Sequence, residues 1–168
     1  EVPLGISFRE FFEEHLGETF DIYITGRELL FPLNENEIAI AGALNKKMLA
    51  RFWLHCERVL VDGKKVDEKG SGLTVRDLIA HGWNGRQIRF WLLSSHYRKP
   101  VIFSYERLEY ARRTLQRLDG CITGIQQLQN GKPYKDLDQL LYDLKNGFNE
   151  AMDDDFNISA ALAVIFKV

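Results

Sequence analysis

Phe20-Asp21-Ile22-Tyr23-Ile24, followed by Thr25-Gly26, is the stretch of this sequence that decides its fold class. Branched and aromatic residues favour a β-strand, and the Thr-Gly pair that follows is typical of a turn. Asn34 is placed to cap a helix that runs to about Leu49, because apolar residues then recur at helical steps, at Ile38, Ala41, Leu44 and Met48. A strand followed by an amphipathic helix predicts an α/β fold.

The residues on either side of this stretch extend the alternation of helices and strands. We predict an amphipathic helix over residues 8–16 and strand structure over residues 51–61, which ends at a turn made by Asp62-Gly63. Residues 64–72 are charged and contain glycine without any periodicity, which indicates a loop. Two helices follow, a short one over residues 75–80 capped by Thr74 and a buried one over residues 87–95.

From Ser104 onward the apolar residues recur only at helical spacing. The first helix carries a stripe that ends at Gly120 and consists of Leu108, Ala111, Leu115 and Leu118. After a turn at residues 130–133, a second helix has its stripe over residues 137–148, and Asn157 starts a third helix. Such stripes need partners, so we predict a helical bundle. The expected organisation is an α/β part over residues 1–100 and a bundle over residues 101–168, with helices predominating.

The composition is that of an ordinary globular protein, with 45% hydrophobic and 27% charged residues among 168. The net charge of −2 excludes a global attraction to nucleic acid or anionic membranes, so any RNA contact needs a local basic patch. No signal peptide is visible, and the longest apolar run, residues 160–166, is too short to span a bilayer. Cys56 and Cys121 are isolated, which predicts two reduced cysteines in a cytoplasmic protein, with a single disulfide as the alternative.

Four stretches of the sequence resemble, in the same order, motifs of cysteinyl-tRNA synthetases. They are LGETFDI at residues 16–22, FPLNENE at residues 31–37, FWLLSSHYRKP at residues 90–100 and AMDDDFN at residues 151–157. The resemblance implies a partial class I synthetase nucleotide-binding fold followed by helices. It also implies the family's cofactors, zinc and ATP, and the ligation of cysteine to tRNA. Because a fold can be inherited without its site, each functional position has to be compared with the family.

The zinc ligands of the family are largely replaced. Its segment that matches residues 31–37 reads Phe-Pro-His-His-Glu-Asn-Glu, in which the first His and the last Glu share one helix face and can hold zinc. Here Leu33 stands at that His, and Phe8 stands at the position of a zinc cysteine. Only Glu37 keeps its donor, and one carboxylate cannot hold zinc alone. We therefore expect no metal, and Glu37 as a solvated helix residue or a cap partner.

The nucleotide-binding turn of the family is also altered. Where the family has a glycine-rich turn that approaches the adenylate, only Gly26 remains, and Tyr23 and Ile24 replace His and Gly. Glu28 stands for the acidic residue that follows and keeps a hydrogen-bond acceptor for an amine or a ribose hydroxyl. The family's His-x-Gly-His motif is not present in these 168 residues. We expect no bound cofactor.

The family's second signature, the Lys-Met-Ser-Lys-Ser loop, uses its lysines to stabilise charge on the transferring phosphates. In the matching loop Lys65 keeps the first lysine, and Lys69 can replace the second only if the loop shifts. Asp67 and Glu68 place two negative charges where the phosphates would lie. These remnants predict a solvated loop and point away from catalysis.

Basic residues of the predicted junction between the two parts are candidates for RNA contacts. In the family this neighbourhood lies near the inner corner of the tRNA, and here it contains Arg98, Lys99, Arg107, Arg112, Arg113 and Arg117. The alternative is an ion-paired solvent face, because Glu109 precedes Arg113 by four residues on the predicted helix.

The sequence therefore predicts a truncated and degenerate cysteinyl-tRNA synthetase-like protein that binds tRNA or a protein partner without catalysis. In one alternative, the chain is a portion of an active cysteine–tRNA ligase whose ATP and zinc sites are completed by a separate chain. In another, it is an oligomeric scaffold, since half a sheet exposes apolar surface that a second copy would cover.

Overall fold

The computed structural model describes residues 15, 17–66, 72–128, 131 and 135–167. Contacts divide the chain into two compact units, Glu1–Glu57 and Arg58–Val168. The predicted domain boundary at residue 100, between an α/β part and a helical bundle, is a different division from this one, and it stays a prediction.

The first unit is built on two parallel strands joined by a helix. Strand β1 (Phe20–Gly26) pairs with strand β2 (Ala50–Cys56), and helix α1 (Glu35–Asn45) lies between them in the chain. Parallel neighbours cannot be joined by a tight hairpin, so the connection has to cross over, and here it includes a helix. The register places Phe20 opposite Ala50 and Gly26 opposite Cys56. The predicted strand and helix are both present.

Helix α1 is shorter than its apolar pattern predicts. It ends at Asn45 and not near Leu49, because Lys46 adopts a left-handed backbone with φ of 52° and its N–H donates to the Gly42 carbonyl at 3.2 Å. This conformation is a common helix terminator. Leu49 is buried and directly precedes β2. The helix predicted over residues 8–16 lies outside the described residues, apart from His15.

The second unit contains a small three-stranded sheet with β3 (Val59–Val61) at its centre. Strand β4 (Lys64–Lys65) pairs antiparallel with β3, and strand β5 (Val101–Ile102) pairs parallel with it. The strand predicted over residues 51–61 is thus two strands in two units, and Lys64–Lys65 is paired where a loop was predicted. The turn at Asp62-Gly63 is confirmed, since both residues have positive φ, 50° and 74°, as tight hairpins require.

Two short helices begin at side-chain caps. Helix α2 (Val75–Ala80) starts after Thr74, whose hydroxyl accepts from the Asp77 N–H while the Asp77 carboxylate accepts from the Thr74 N–H. Helix α3 (Gly85–Leu93) begins two residues earlier than predicted, because Asn84 and Gln87 form the same reciprocal pair.

The remaining elements are helices, as predicted. Helix α4 (Tyr105–Gln127) is capped by Ser104, helix α5 (Leu137–Asp153) follows, and helix α6 (Ile158–Lys167) begins where the Asn157 side chain accepts from the Ala160 N–H at 3.2 Å. The predicted end of α4 at Gly120 is wrong. A glycine inside a helix costs only about 1 kcal/mol relative to alanine, so it weakens a helix without ending it. The turn predicted at residues 130–133 lies outside the described residues, apart from Gly131.

The core of the second unit lies between its sheet and helices α2 to α4. Seven buried side chains form it: Leu78, Ile88, Trp91, Val101, Phe103, Leu108 and Ala111. The Trp91 and Phe103 rings meet edge to face with centroids 5.5 Å apart. The predicted fold class, an α/β part followed by helices, with helices predominating, is confirmed. Among the described residues, no helix is both long and apolar enough to cross a membrane.

Candidate functional site

Glu37, the one zinc-position donor that the sequence retains, is held by two hydrogen bonds in the first turn of α1. The Tyr23 hydroxyl on β1 and the Asn34 Nδ2 atom each donate to the same oxygen, Oε2, at 3.2 Å. Asn34 precedes the helix as predicted, but its side chain makes no capping bond to the backbone and bonds Glu37 instead. Asn34 is 1% exposed and is the only fully buried polar side chain among the described residues.

Tyr23 stands in an aromatic row along one face of the β1–β2 sheet. Its ring centroid lies 4.6 Å from that of Trp53, its register partner, and Trp53 is followed by His55 at 6.0 Å. Burial raises the pKa of the Tyr23 phenol, and the negative charge and hydrogen bond of Glu37 raise it further. The tyrosine therefore stays protonated and acts as a donor to the carboxylate.

These residues do not fit a zinc ion. Leu33, at the position of the family's first His, is 48% exposed and has no lone pair. Over the described ranges, no group of three His, Cys, Asp or Glu side chains could hold a metal. Phe8, the other replaced ligand position, lies outside these ranges.

The two predicted nucleotide-turn residues, Gly26 and Glu28, lie against each other. A side chain at Gly26 would place its Cβ 2.5 Å from Glu28 Oε2, so the carboxylate of Glu28 packs over the glycine. Gly26 has a φ of −72°, which any residue adopts, so a side chain there would require only that the Glu28 carboxylate shift. The carboxylate fills the space that the glycine opens.

Lys65, the retained lysine of the signature loop, lies on β4 and lines a cavity of about 280 Å³ in the second unit. Arg58 lines the same cavity, whose other walls include Leu78, Ile88 and Trp91. The pocket is therefore mainly apolar with two cationic residues. Lys69, Asp67 and Glu68 lie outside the described residues.

Arg98, one of the RNA-contact candidates, is bound by Asp155. Its Nε donates to Asp155 Oδ2 at 2.5 Å and its Nη2 to Oδ1 at 3.0 Å, while the Tyr97 hydroxyl donates to Oδ1 at 2.5 Å. These hydrogen bonds, first from Arg98 and then from Tyr97, lower the pKa of Asp155 to about 2. The His96 Nε2 atom lies 3.7 Å from the same carboxylate.

The Asp155 contacts join two of the four family-like motifs, residues 90–100 and residues 151–157. Asp155 and Phe156 both have left-handed backbones, with φ of 52° and 55°, and the Phe156 ring meets Tyr97 edge-on at 6.3 Å. The sequence gives Arg98 and Lys99 of the first motif as RNA-contact candidates and does not link the two motifs. Their separation of 57 residues between Arg98 and Asp155 leaves no periodic signal that could have revealed the contact.

The arginines of α4 are largely neutralised or stacked. Glu109 pairs with Arg112 at 2.7 Å and with Arg113 at 3.1 Å, which confirms the predicted i, i+4 pair. Arg112 also lies over the Trp83 ring, and Arg117 lies 5.5 Å from the centroid of the Phe166 ring. These contacts hold the guanidinium groups close to the protein surface.

Lys99 and Arg107 differ from the other candidates. Both are exposed, and within the described part of the chain neither side chain takes part in an ion pair or a ring contact. Of the six predicted RNA contacts, these two are exposed cations without an ion pair to any described residue.

The comparisons with known proteins agree with the fold. The family model for the tRNA synthetases class I (C) catalytic domain matches residues 6–113, and the DALR domain model matches residues 147–168. A LeuRS of Agrobacterium radiobacter K84, solved as a ternary complex with tRNA and LeuAMS, has a TM-score of 0.66 at 17% identity. The match covers 88% of this chain and 21% of that one, and it shows the fold.

Curated relatives carry the name cysteine–tRNA ligase. The chain is 40% identical to the ligase of Protochlamydia amoebophila over 152 residues, which are 90% of this chain and 32% of the relative. It is 39% identical to the ligase of Persephonella marina, with 92% and 33% covered. The chain spans about a third of the length of these relatives. Since the catalytic-domain model matches well over half of its residues, the chain belongs to the class I (C) tRNA synthetase catalytic-domain family, on the cysteinyl branch.

Proposed function

We propose that this chain is a non-catalytic module that binds tRNA through a small basic surface, defined by Lys99 and Arg107. The observation that carries the proposal is the availability of these two cations, while the arginines around them are bound by acids or stacked on rings. Its relationship to proteins named as tRNA ligases supports tRNA as the nucleic acid.

The charge distribution predicts phosphate contacts of modest strength. With a net charge of −2, the chain as a whole does not attract RNA, so binding depends on the local cations. Two phosphate contacts give a slope of about −2 in a plot of log affinity against log salt concentration. Strong sequence discrimination is not expected from phosphate contacts alone.

The absence of catalysis is supported by the altered ligand positions. Glu37 is engaged by Tyr23 and Asn34, Leu33 cannot bind a metal, and Glu28 packs over Gly26. Adenylation would need a site that stabilises charge on the phosphates, and Lys65 is the only described residue inherited from that signature.

Filter binding to tRNA over a salt series tests the RNA-binding part. The Lys99→Ala/Arg107→Ala variant should bind about tenfold more weakly at low salt, with a slope reduced by about 2. The Arg76→Ala/Lys145→Ala variant removes the same charge from other exposed positions and should bind like the unmodified chain. Affinity that does not change with salt, or equal losses in both variants, would contradict the proposal.

A second candidate function is a portion of an active cysteine–tRNA ligase. It is favoured by the 40% identity to such a ligase and by the chain spanning about a third of that relative's length. Pyrophosphate exchange with cysteine and ATP tests it directly. Cysteine-dependent exchange by the chain would overturn the non-catalytic proposal.

A third candidate is a scaffold that binds a protein or a second copy. It is favoured by apolar side chains on the β1–β2 sheet, where Ile24 is 64% and Phe52 is 65% exposed. Light scattering distinguishes this candidate, because a monomer at high concentration would count against self-association.

A further inference from the structure

We propose that Tyr23, Asn34 and Glu37 form a metal-independent junction at the position where the resemblance to cysteinyl-tRNA synthetases places zinc. We call these three residues the Glu37 triad. The inference is independent of tRNA binding, because the triad lies in the first unit and shares no residue with the basic surface.

The geometry of the triad suits hydrogen bonding. Oε2 of Glu37 accepts from the Tyr23 hydroxyl and from Asn34 Nδ2, both at 3.2 Å, so one oxygen joins strand β1 to the residue that precedes α1. Glu37 stands in the first turn of α1, where a negative charge is favoured by the helix dipole. Each partner thus donates a hydrogen bond to the carboxylate.

The substitutions relative to the family are matched to one another. Tyr23 stands where the family has the His of its glycine-rich turn, and Asn34 stands where it has the second His of its zinc segment. Both replacements present a hydrogen to the one ligand that was retained. The zinc-binding His of this segment is its first one, where Leu33 stands here, and a phenol hydroxyl and an amide NH₂ offer the remaining carboxylate two proton donors.

Burial fixes the orientation of Asn34. The side chain is 1% exposed. Among the described residues its Oδ1 atom has no hydrogen-bond partner, and its Nδ2 atom donates to Glu37. Reversing the amide would place an oxygen against the carboxylate. Asn34 is therefore held with its donor toward Glu37, and Glu37 Oε2 accepts two hydrogen bonds from the protein itself.

The first experiment measures metal. The chain, expressed with added zinc and then dialysed, should contain far less than one zinc per chain, and a chelator should leave its melting temperature unchanged. Equimolar zinc after dialysis, or a clear fall in the melting temperature with the chelator, would overturn the proposal.

The second experiment measures coupling between Tyr23 and Glu37. Tyr23→Phe should raise the unfolding equilibrium constant roughly three- to tenfold, because a hydrogen bond to a charged group is lost from a partly exposed site. The same change in a Glu37→Gln background should have a smaller effect. Tyr142→Phe removes a hydroxyl from an exposed position on α5 and should change nothing. Equal effects of Tyr23→Phe in both backgrounds would overturn the proposal.

An ultraviolet titration gives a readout that does not depend on stability. The Tyr23 phenol, identified as the signal lost in Tyr23→Phe, should titrate above the ordinary range for tyrosine. In Glu37→Gln its pKa should fall, because a negative charge and its hydrogen bond are removed. An unchanged titration in Glu37→Gln would count against the triad.

Discussion

Glu37 and Asp155 are both carboxylates within family-like motifs, yet their surroundings differ in kind. Glu37 is held by two neutral donors at 3.2 Å, whereas Asp155 is held by a guanidinium and a phenol at 2.5 Å. The Glu37 motif departs from the family at Leu33 and Asn34, while the partners of Asp155 stand in a motif that retains its His-Tyr-Arg run. The role of an acidic residue that is shared with the family therefore depends on the side chains that bind it.

The two units also differ in what supports these carboxylates. In the second unit a cluster of seven buried side chains includes Leu108, which is 0% exposed. Among the described residues of the first unit, the buried apolar side chains are Ala41, Leu49 and Ala50, and sheet residues such as Ile24 and Phe52 are exposed. The Asp155 junction is therefore part of a unit whose buried apolar cluster is larger than the one among the described residues around the Glu37 triad.

The largest effect is expected when the core of the second unit is opened. Leu108→Ala should lower the free energy of unfolding by about 3 kcal/mol, the usual cost of a large cavity in a packed core. Ala41→Gly, at a buried position on α1 in the first unit, should cost only about 1 kcal/mol, through helix propensity.

Urea denaturation followed by tryptophan fluorescence measures both changes. Two tryptophans lie in the second unit and one, Trp53, in the first, so the signal that remains in a Trp53→Phe background reports the second unit and the signal lost there reports the first. If Leu108→Ala cost no more than Ala41→Gly in this assay, the contrast in packing between the two units would be wrong.

A smaller effect is expected when the pH is lowered, because Asp155 then loses its contribution to stability. The pKa of Asp155 in the folded chain is about 2, lowered from an ordinary value of 3.8, so the folded state favours its charged form. Its contribution to stability is present above pH 3.8 and is lost as the pH falls toward 2. The difference in melting temperature between the unmodified chain and Asp155→Asn should therefore shrink over this range.

Comparing the unmodified chain with Asp155→Asn separates the effect of Asp155 from the effects of other acidic residues that titrate over the same pH range. Hydrogen bonds also lower the pKa of Asp119, through Arg86, and of Asp77, through Thr74. Both groups are present in each chain, so their effects cancel in the difference. A gap in melting temperature that stays constant from neutral pH to pH 2 would mean that Arg98 and Tyr97 do not hold the charged form of Asp155.

Local sequence patterns predicted most of the helices and strands but not all of the residues at which they end. Thr74, Ser104 and Asn157 start helices as predicted, because a cap acts within three residues of itself. The end of α1 depends on the left-handed backbone of Lys46, and a lysine in the sequence does not predict that conformation. The helix end predicted at Gly120 is wrong, because a glycine whose neighbours continue the helix does not stop it.

The candidate site was less predictable, since its contacts join distant residues. The resemblance singled out Glu37, Tyr23 and Asn34 one at a time, but the triad requires a strand and a helix to meet. The Arg98–Asp155 pair spans 57 residues, and its geometry depends on two consecutive left-handed residues in the turn before α6. The pair within α4, between Glu109 and Arg113, was predictable because helical periodicity alone brings its members together.

The smallest expected effect concerns Gly26, the glycine that remains of the family's turn, which lies in the first unit. Gly26→Ala would place a methyl group 2.5 Å from Glu28 Oε2, so the carboxylate has to move aside. The backbone at residue 26 suits alanine, with φ of −72°, and a glutamate end is flexible, so we expect a loss below about 1 kcal/mol. Because Glu28→Ala removes the obstructing group, Gly26→Ala should be close to neutral in that background. Urea denaturation of the unmodified chain, the two single variants and the double variant measures this coupling. A loss of several kcal/mol in both backgrounds would show that the glycine is needed for the backbone conformation and not for the packing of Glu28.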